Sequence, residues 1–395
     1  MLTDGGGVPD QIQCLDVLGR TIRSVTEGFG LQADVYVDQY YDDSGRVERV
    51  SEPYLDGDLP YWNLTTYDEI GRPLEQMLTT NTGTVLRDHQ FNAQEQLYSY
   101  DVNATGFCGQ SAGPRTTIVT NGKGQGRLEK FNALGETTDV YDDNCGHVSY
   151  AYDATGNLRQ VTGADNEVVT MSYDVAGRKT AMSDPDKGDW QYAYNALGEM
   201  TRQLDSLNQA VDFEYDALGR VILRSELADV GSLTDTNVTT VNREETHYRT
   251  VSPGKSQPQS ITYYLSTTAT RLHRRDFIYD AFGRVDVVST TIDGTDQFAE
   301  QTTYDQFGRV FQQFDASGGS RGVRYHYDNS GYLLSLQEAR EGTSGVDYQM
   351  VGAMDARGNV TELTLGNNVK VSASYDAGSG RLSQIQAVDL STNGS

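Results

Sequence analysis

Between residues 211 and 223, apolar and charged side chains alternate: Val211, Phe213 and Tyr215 are separated by Asp212 and Glu214, and Val221 and Leu223 resume the rhythm beyond a break. A period of two sends successive side chains to opposite faces, which marks a strand with one face covered. The same alternation pairs Tyr150 with Tyr152, Tyr192 with Tyr194, Phe277 with Tyr279, and Tyr325 with Tyr327. In each break an Asp or Asn stands three residues before a Gly. The Asx oxygen accepts a hydrogen bond from backbone two residues on, and glycine supplies the positive φ that closes a type I turn with a left-handed residue. The pattern predicts antiparallel hairpins. A second turn per unit is signalled by Asp142 to Gly146 and by Asp184 to Gly188, at equal spacing.

The hairpin phrase returns every 21 residues from Phe131 to Val221, so the chain is a repeat array. After Phe131-Asn132-Ala133-Leu134-Gly135-Glu136, the copies carry Tyr152, Asp153 and Gly156; Tyr173, Asp174, Gly177 and Arg178; Tyr194, Asn195 and Gly198; and Tyr215, Asp216, Gly219 and Arg220. Further units begin at Leu15, Tyr41, Tyr67, Tyr327, Met354 and Tyr375, and two more hold Tyr279, Asp280, Gly283 and Arg284, and Tyr304, Asp305, Gly308 and Arg309. Phe91-Asn92-Ala93-Gln94-Glu95 is a worn copy. The expected organisation is a flexible lead over 1–14, one repeat array over 15–390 and a tail over 391–395. Within the array, an irregular excursion covers about 100–128, and degenerate repeats fill about 226–278, where 64 residues between Tyr215 and Tyr279 are close to three periods.

The copies also test the chemistry. A catalytic or metal-binding acid would need its carboxylate at each working position, yet Asn92, Asn132 and Asn195 replace it. An amide keeps the acceptor oxygen and loses the charge, so turn geometry is the shared requirement. Arg after the glycine (Arg20, Arg46, Arg72, Arg178, Arg220, Arg284, Arg309, Arg381) is expected to lie over a neighbouring Tyr ring or to pair with an acid on the adjacent hairpin.

Composition narrows the reading. Of 395 residues, 25 are Tyr, 41 Gly and only 8 Pro, which suits sheet and turn. A net charge of −25 argues against nucleic acid or an anionic membrane as partner. No apolar run reaches the length of a membrane span, and the start has no signal-peptide pattern. Cys14, Cys108 and Cys145 have no zinc spacing and cannot all pair with one another. His89, His147, His247, His273 and His326 are scattered; His147 beside Cys145 lacks a second ligand pair. Asp184-Pro185-Asp186-Lys187-Gly188-Asp189 lacks the acids of a calcium loop and reads as a tight turn. There is no nucleophile elbow or phosphate loop, and no carboxylate pair is singled out for glycosidase chemistry. Neither catalytic residue, metal nor cofactor is expected.

The phrase Tyr-Asp-x-x-Gly-Arg-Val/Leu resembles the YD repeat of bacterial Rhs proteins, of the B and C components of Tc insecticidal toxins, and of teneurins, from about Leu15 to Leu382. The resemblance implies an all-β fold in which a repeat array of antiparallel hairpins forms a long spiralling sheet, a hollow shell or part of one. Strand spacing agrees: about fifteen two-strand units make a ribbon on the order of 145 Å long, too long to stay flat. In function it implies a non-enzymatic wall of a secreted toxin enclosing a C-terminal effector, with the rest of a longer chain or other shell subunits as partners, and a secreted or cell-surface location. The conserved core that releases the toxin in bacterial members is not matched after Leu382. A second reading is an extracellular adhesion module that binds carbohydrate through stacked Tyr. A hydrolase is the third. Repeats already under way by Asp16 point to a piece of a longer chain.

Overall fold

The structure, a computed structural model, describes residues 2–3, 7–30, 32–85, 96–99, 105–111, 115–121, 123–265, 270–316, 321–340 and 345–392. Every strand pairing among them is antiparallel, and the strands follow one another in a long sheet. There is no α-helix among the described residues; the one helical turn is a short 3-10 segment at Leu390–Thr392. Two compact units divide the chain, one of Met1–Arg127, Thr303–Phe314 and Ser320–Ser395, the other of Leu128–Thr302 and Asp315–Gly319.

In the second unit each 21-residue period is one hairpin and its return. Val168–Tyr173 pairs with Lys179–Asp184, which pairs with Gly188–Tyr194, which pairs with Met200–Leu204. At every motif Tyr the register slips by one residue, as between Ser172 and Tyr173. This is the bulge that a left-handed glycine after a type I turn produces. Burial is shallow: most strand residues are neither buried nor exposed. The compact apolar cluster joins Leu204, Ala210, Leu227 and Val230, with Leu233 and Val238 against it. It forms where loop 229–238 folds back over the sheet. Arg202 holds that loop, donating to the carbonyls of Leu233 (3.1 Å) and Asp235 (2.7 Å) while paired with Asp212.

Two stretches differ from expectation. Among its described residues the irregular region carries strands: Gln96–Ser99 pairs with Thr116–Asn121, and Gly126–Phe131 pairs with Thr137–Tyr141. Only Thr105–Phe107 and Gln110–Ser111 stand apart, as a two-stranded sheet. Between Tyr215 and Tyr279 the sheet has fewer and longer strands instead of three short periods. Thr239–Tyr248 and Thr270–Tyr279 each run to 10 residues, and Tyr248 takes the place of a motif Tyr. The worn copy at 91–95, with Asn92, and His89 lie outside the described residues.

In the first unit, residues 7–52 lie against turns some 300 residues later. Arg309 donates to the Gly7 carbonyl (3.1 Å), and the Gly30 amide donates to Asp328 (3.0 Å). The Tyr332 hydroxyl donates to the Glu27 carbonyl (2.8 Å), Phe29 meets the Tyr332 ring edge-on, and Arg357 pairs with Glu52 at 2.8 Å. Ser330 is buried in this contact, and a Cβ on Gly331 would strike the Gly7 carbonyl. The sheet is laid, turn edge first, on another stretch of itself.

Candidate functional site

The recurring structure is a latch between one hairpin and the next. Take the turn at 174–178. The Asp174 amide donates to the Arg178 carbonyl (2.9 Å) and the Gly177 amide to the Asp174 carbonyl (3.0 Å). Asp174 Oδ1 accepts from the amides of Ala176 (2.9 Å) and Arg178 (3.0 Å), and Oδ2 accepts from Arg178 Nε (2.6 Å). Gly177 has φ +78°, which an L side chain adopts only with strain. The Arg178 side-chain hydrogen bond, followed by its backbone amide, holds the Asp174 carboxyl below the usual carboxylate range; Arg220 does the same to Asp216.

Arg178 also reaches forward. Nη1 donates to the Asn195 carbonyl (3.0 Å), and its guanidinium lies 5.0 Å from the Tyr194 ring centroid. The Tyr194 hydroxyl in turn donates to the Lys179 carbonyl at 2.8 Å. The same latch joins Arg20 over Tyr41 to the Thr21 carbonyl, Arg46 over Tyr67 to Val47, Arg220 over Tyr248 to Val221, and Arg309 over Tyr327 to Val310. Tyr152, Tyr173, Tyr215 and Tyr279 make the hydroxyl bond to Thr137, Leu158, Met200 and Pro258. Burial raises the pKa of Tyr173, Tyr194 and Tyr279, as a partly dry phenol that is already donating requires.

Of the two places expected for the Arg, over a neighbouring Tyr ring or against an acid on the adjacent hairpin, the first is found at Arg20, Arg46, Arg178, Arg220 and Arg309. The acid belongs to its own turn: Arg20–Asp16, Arg46–Asp42, Arg72–Asp68, Arg284–Asp280 and Arg309–Asp305 repeat the pair. Sequence reasoning also missed a coupling. Where Asn replaces Asp the turn reverses polarity: Asn132 Nδ2 donates to Glu136, and Asn195 Nδ2 donates to Glu199. Asp153 instead accepts from Asn157, and Asp355 from Asn359. The signal was in the sequence, since Glu stands at 136 and 199 only where Asn stands four residues earlier. Asn121 makes a further turn of this kind with Gly124 and Gln125, hidden in the sequence by its Gly-rich neighbours.

Gly219, at φ +75°, sits in the left-handed region that an L side chain adopts only with strain. His147 is used locally: it pairs with Asp139 (2.9 Å) and stacks on Tyr141 at 4.2 Å. At 184–188, the amides of Asp186 and Lys187 donate to Asp184, making a turn. Cys108 and Cys145 are disulfide-bonded, and Cys14 is free. Among the described residues no group of three or more His, Cys, Asp or Glu is placed to hold a metal ion.

Tyrosine-latched antiparallel hairpins, repeated along a sheet, define the class: a β-hairpin repeat protein. Residues 152–188 match the family model of the RHS repeat. The fold is shared with solved Tc toxin structures, all at 15% sequence identity. "TcdB2-TccC3-TEV" matches with a TM-score of 0.76 over 97% of this chain and 21% of that one. The Photorhabdus luminescens Tc holotoxin pore matches with 0.75 over 97% and 20%, and TcdB2-TccC3 with 0.72 over 97% and 21%. The chain thus spans about a fifth of the length of the structures it resembles. No curated protein matches it in sequence.

Proposed function

We propose that the chain is a structural, non-enzymatic wall segment of an Rhs/Tc-type toxin, enclosing a polypeptide effector that this chain does not contain. The observation that carries this reading is the self-laid sheet of the first unit, where residues 7–52 cover the turns at 305–357. A strip that stacks on its own turn edges builds a wall, whereas a globular domain gathers one thick core. The latch supports it too: hairpin after hairpin is tied to its predecessor by the backbone ladder and a Tyr hydroxyl, joined in several by a guanidinium, so stability spreads along the strip. Exclusion is then the mechanism, with the wall separating its passenger from the surroundings. Disulfide-bonded Cys108 and Cys145 fit an oxidising, extracytoplasmic setting. The other shell stretches and the passenger are the partners under this reading.

The adhesion alternative draws no support from the motif Tyr, because their hydroxyls are spent on backbone carbonyls and several rings lie under Arg. The test joins the chain to its flanking sequence and follows proteolysis of the polypeptide produced with it. An enclosed passenger is cut at least about tenfold more slowly than the same polypeptide free in solution, because cleavage needs the wall to open. Equal rates, or glycan binding lost on changing exposed Tyr, would sink the proposal.

A further inference from the structure

A cavity of about 340 Å³ opens on the middle of the second unit, lined in part by Trp190, Gln203, Asp205, Gln209, Val211 and Glu226. Every strand beneath it is paired on both sides: Gly188–Tyr194, Met200–Leu204, Ala210–Tyr215 and Val221–Ala228 follow one another in the sheet. Register places four of the lining side chains on one face. Tyr192 faces Gln203, Gln203 faces Val211 and Val211 faces Glu226, while Trp190 stands two residues before Tyr192. Leu204, Ala210 and Leu227 alternate to the other face, into the cluster that loop 229–238 closes.

The lining has one chemical character. Trp190 spends its indole N–H on the Lys187 carbonyl at 3.1 Å, so what it offers a ligand is its ring. Asp205 Oδ1 accepts from the amides of Leu207 (2.9 Å) and Gln209 (2.8 Å), and its Oδ2 receives no donor from the described residues. The side-chain amides of Gln203 and Gln209 have no partner among the described residues, which leaves two more acceptor oxygens. Asn242 (3.0 Å) and Arg224 (2.7 Å) donate to Glu226 and hold its carboxyl below the usual range, so it is ionised. No Lys or Arg is among the described residues that line the cavity. An aromatic ring, two carboxylates and free acceptor oxygens, on a chain of charge −25, suit a cation that carries hydrogen-bond donors. We propose that this cavity takes the guanidinium or ammonium side chain of an Arg or Lys on a partner polypeptide. The head lies against Trp190 and donates to Asp205, Glu226 and the glutamine oxygens, and the alkyl stem runs over Val211. A carboxylate oxygen accepts more than one hydrogen bond, so the Arg224 and Asn242 contacts leave Glu226 able to serve. A neutral sugar would use the ring and the amides but leave both charges unanswered.

Trp190 reports on the site, because the chain has two tryptophans and Trp62 is buried. Titrating the full chain with N-acetyl-argininamide at low salt is expected to change the fluorescence, with half-saturation on the order of 1 mM. The change is lost in Trp190→Phe. The citrulline analogue, equal in shape but uncharged, binds at least about tenfold more weakly. Asp205→Asn keeps the turn, as Asn132 and Asn195 do in theirs, and weakens the arginine probe about tenfold. Asp165→Asn removes the same charge from an exposed turn elsewhere and leaves binding unchanged. Equal urea midpoints for the two Asn variants separate loss of binding from loss of fold. A blocked tripeptide with a central Arg binds at least as tightly as spermidine. No response to the arginine probe, equal binding of its citrulline analogue, indifference to Asp205→Asn, preference for a neutral sugar, or tighter binding of spermidine overturns the proposal.

Discussion

Tyr194 does two things at once: its ring lies beside the Arg178 guanidinium, and its hydroxyl satisfies the Lys179 carbonyl of the preceding hairpin. Removing only the hydroxyl leaves that carbonyl without its partner, and Tyr194→Phe is expected to cost about 1 kcal/mol in urea unfolding. The reversed-polarity turns make a sharper test. Asn195→Asp sets two carboxylates together at 195 and 199 and destabilises, while the double change Asn195→Asp with Glu199→Arg restores the ordinary turn. A double-mutant cycle should give a coupling of about 1 kcal/mol. Acid acts through the same groups. The folded-state pKa of Asp174 and Asp216 is depressed by Arg178 and Arg220, so their contribution is complete above the unfolded pKa of about 3.9 and is lost as pH falls below it. Burial works against ionised Asp38, but Arg23 and Tyr54 outweigh it and place it in the same window. Melting temperature should be flat near neutrality and fall below about pH 4, and Asp174→Asn should flatten that fall.

One hairpin is legible in the sequence because its causes are local. Alternation sets the faces, Asx and glycine set the turn, and the slip at each Tyr follows from the glycine. Gly219, at φ +75°, should resist substitution. Gly219→Ala is expected to cost about 1–2 kcal/mol, and Gly219→Asn less, since Asn tolerates the left-handed region. Legibility failed where a neighbouring element overrode the local rule. The segment 229–238 falls within the expected degenerate repeats, yet it is a loop, and Val230 is fully buried where Arg202, on another strand, anchors that loop to the sheet. Arg202→Ala is expected to free it, and limited proteolysis should then cut within 229–238 first. The chain from Tyr215 to Tyr279 misled for the same reason: strand length there follows cross-strand partners, so longer strands replace an extra repeat.

For the molecule as a whole, stability depends on contacts such as Arg357 with Glu52, 305 residues apart. Arg357→Glu sets like charges together and should expose residues 7–52 to protease, and Glu52→Arg in the same chain should restore protection. A faster cut in the single variant only, with unchanged far-ultraviolet circular dichroism, is the outcome that supports the contact. By itself the sequence determined the class of fold, the hairpin, its period and the turn chemistry, because each rests on residues within one 21-residue unit. It determined that the Asp row is a row of turns, since Asn serves in its place. Only the tertiary structure decided that the acid paired with Arg20, Arg46, Arg72, Arg178, Arg220, Arg284 and Arg309 lies in the same turn as the Arg. It alone showed that Gly7, Gly30 and Glu52 receive turns some 300 residues later, because such contacts depend on how the strip returns to itself, which no residue in the repeat encodes.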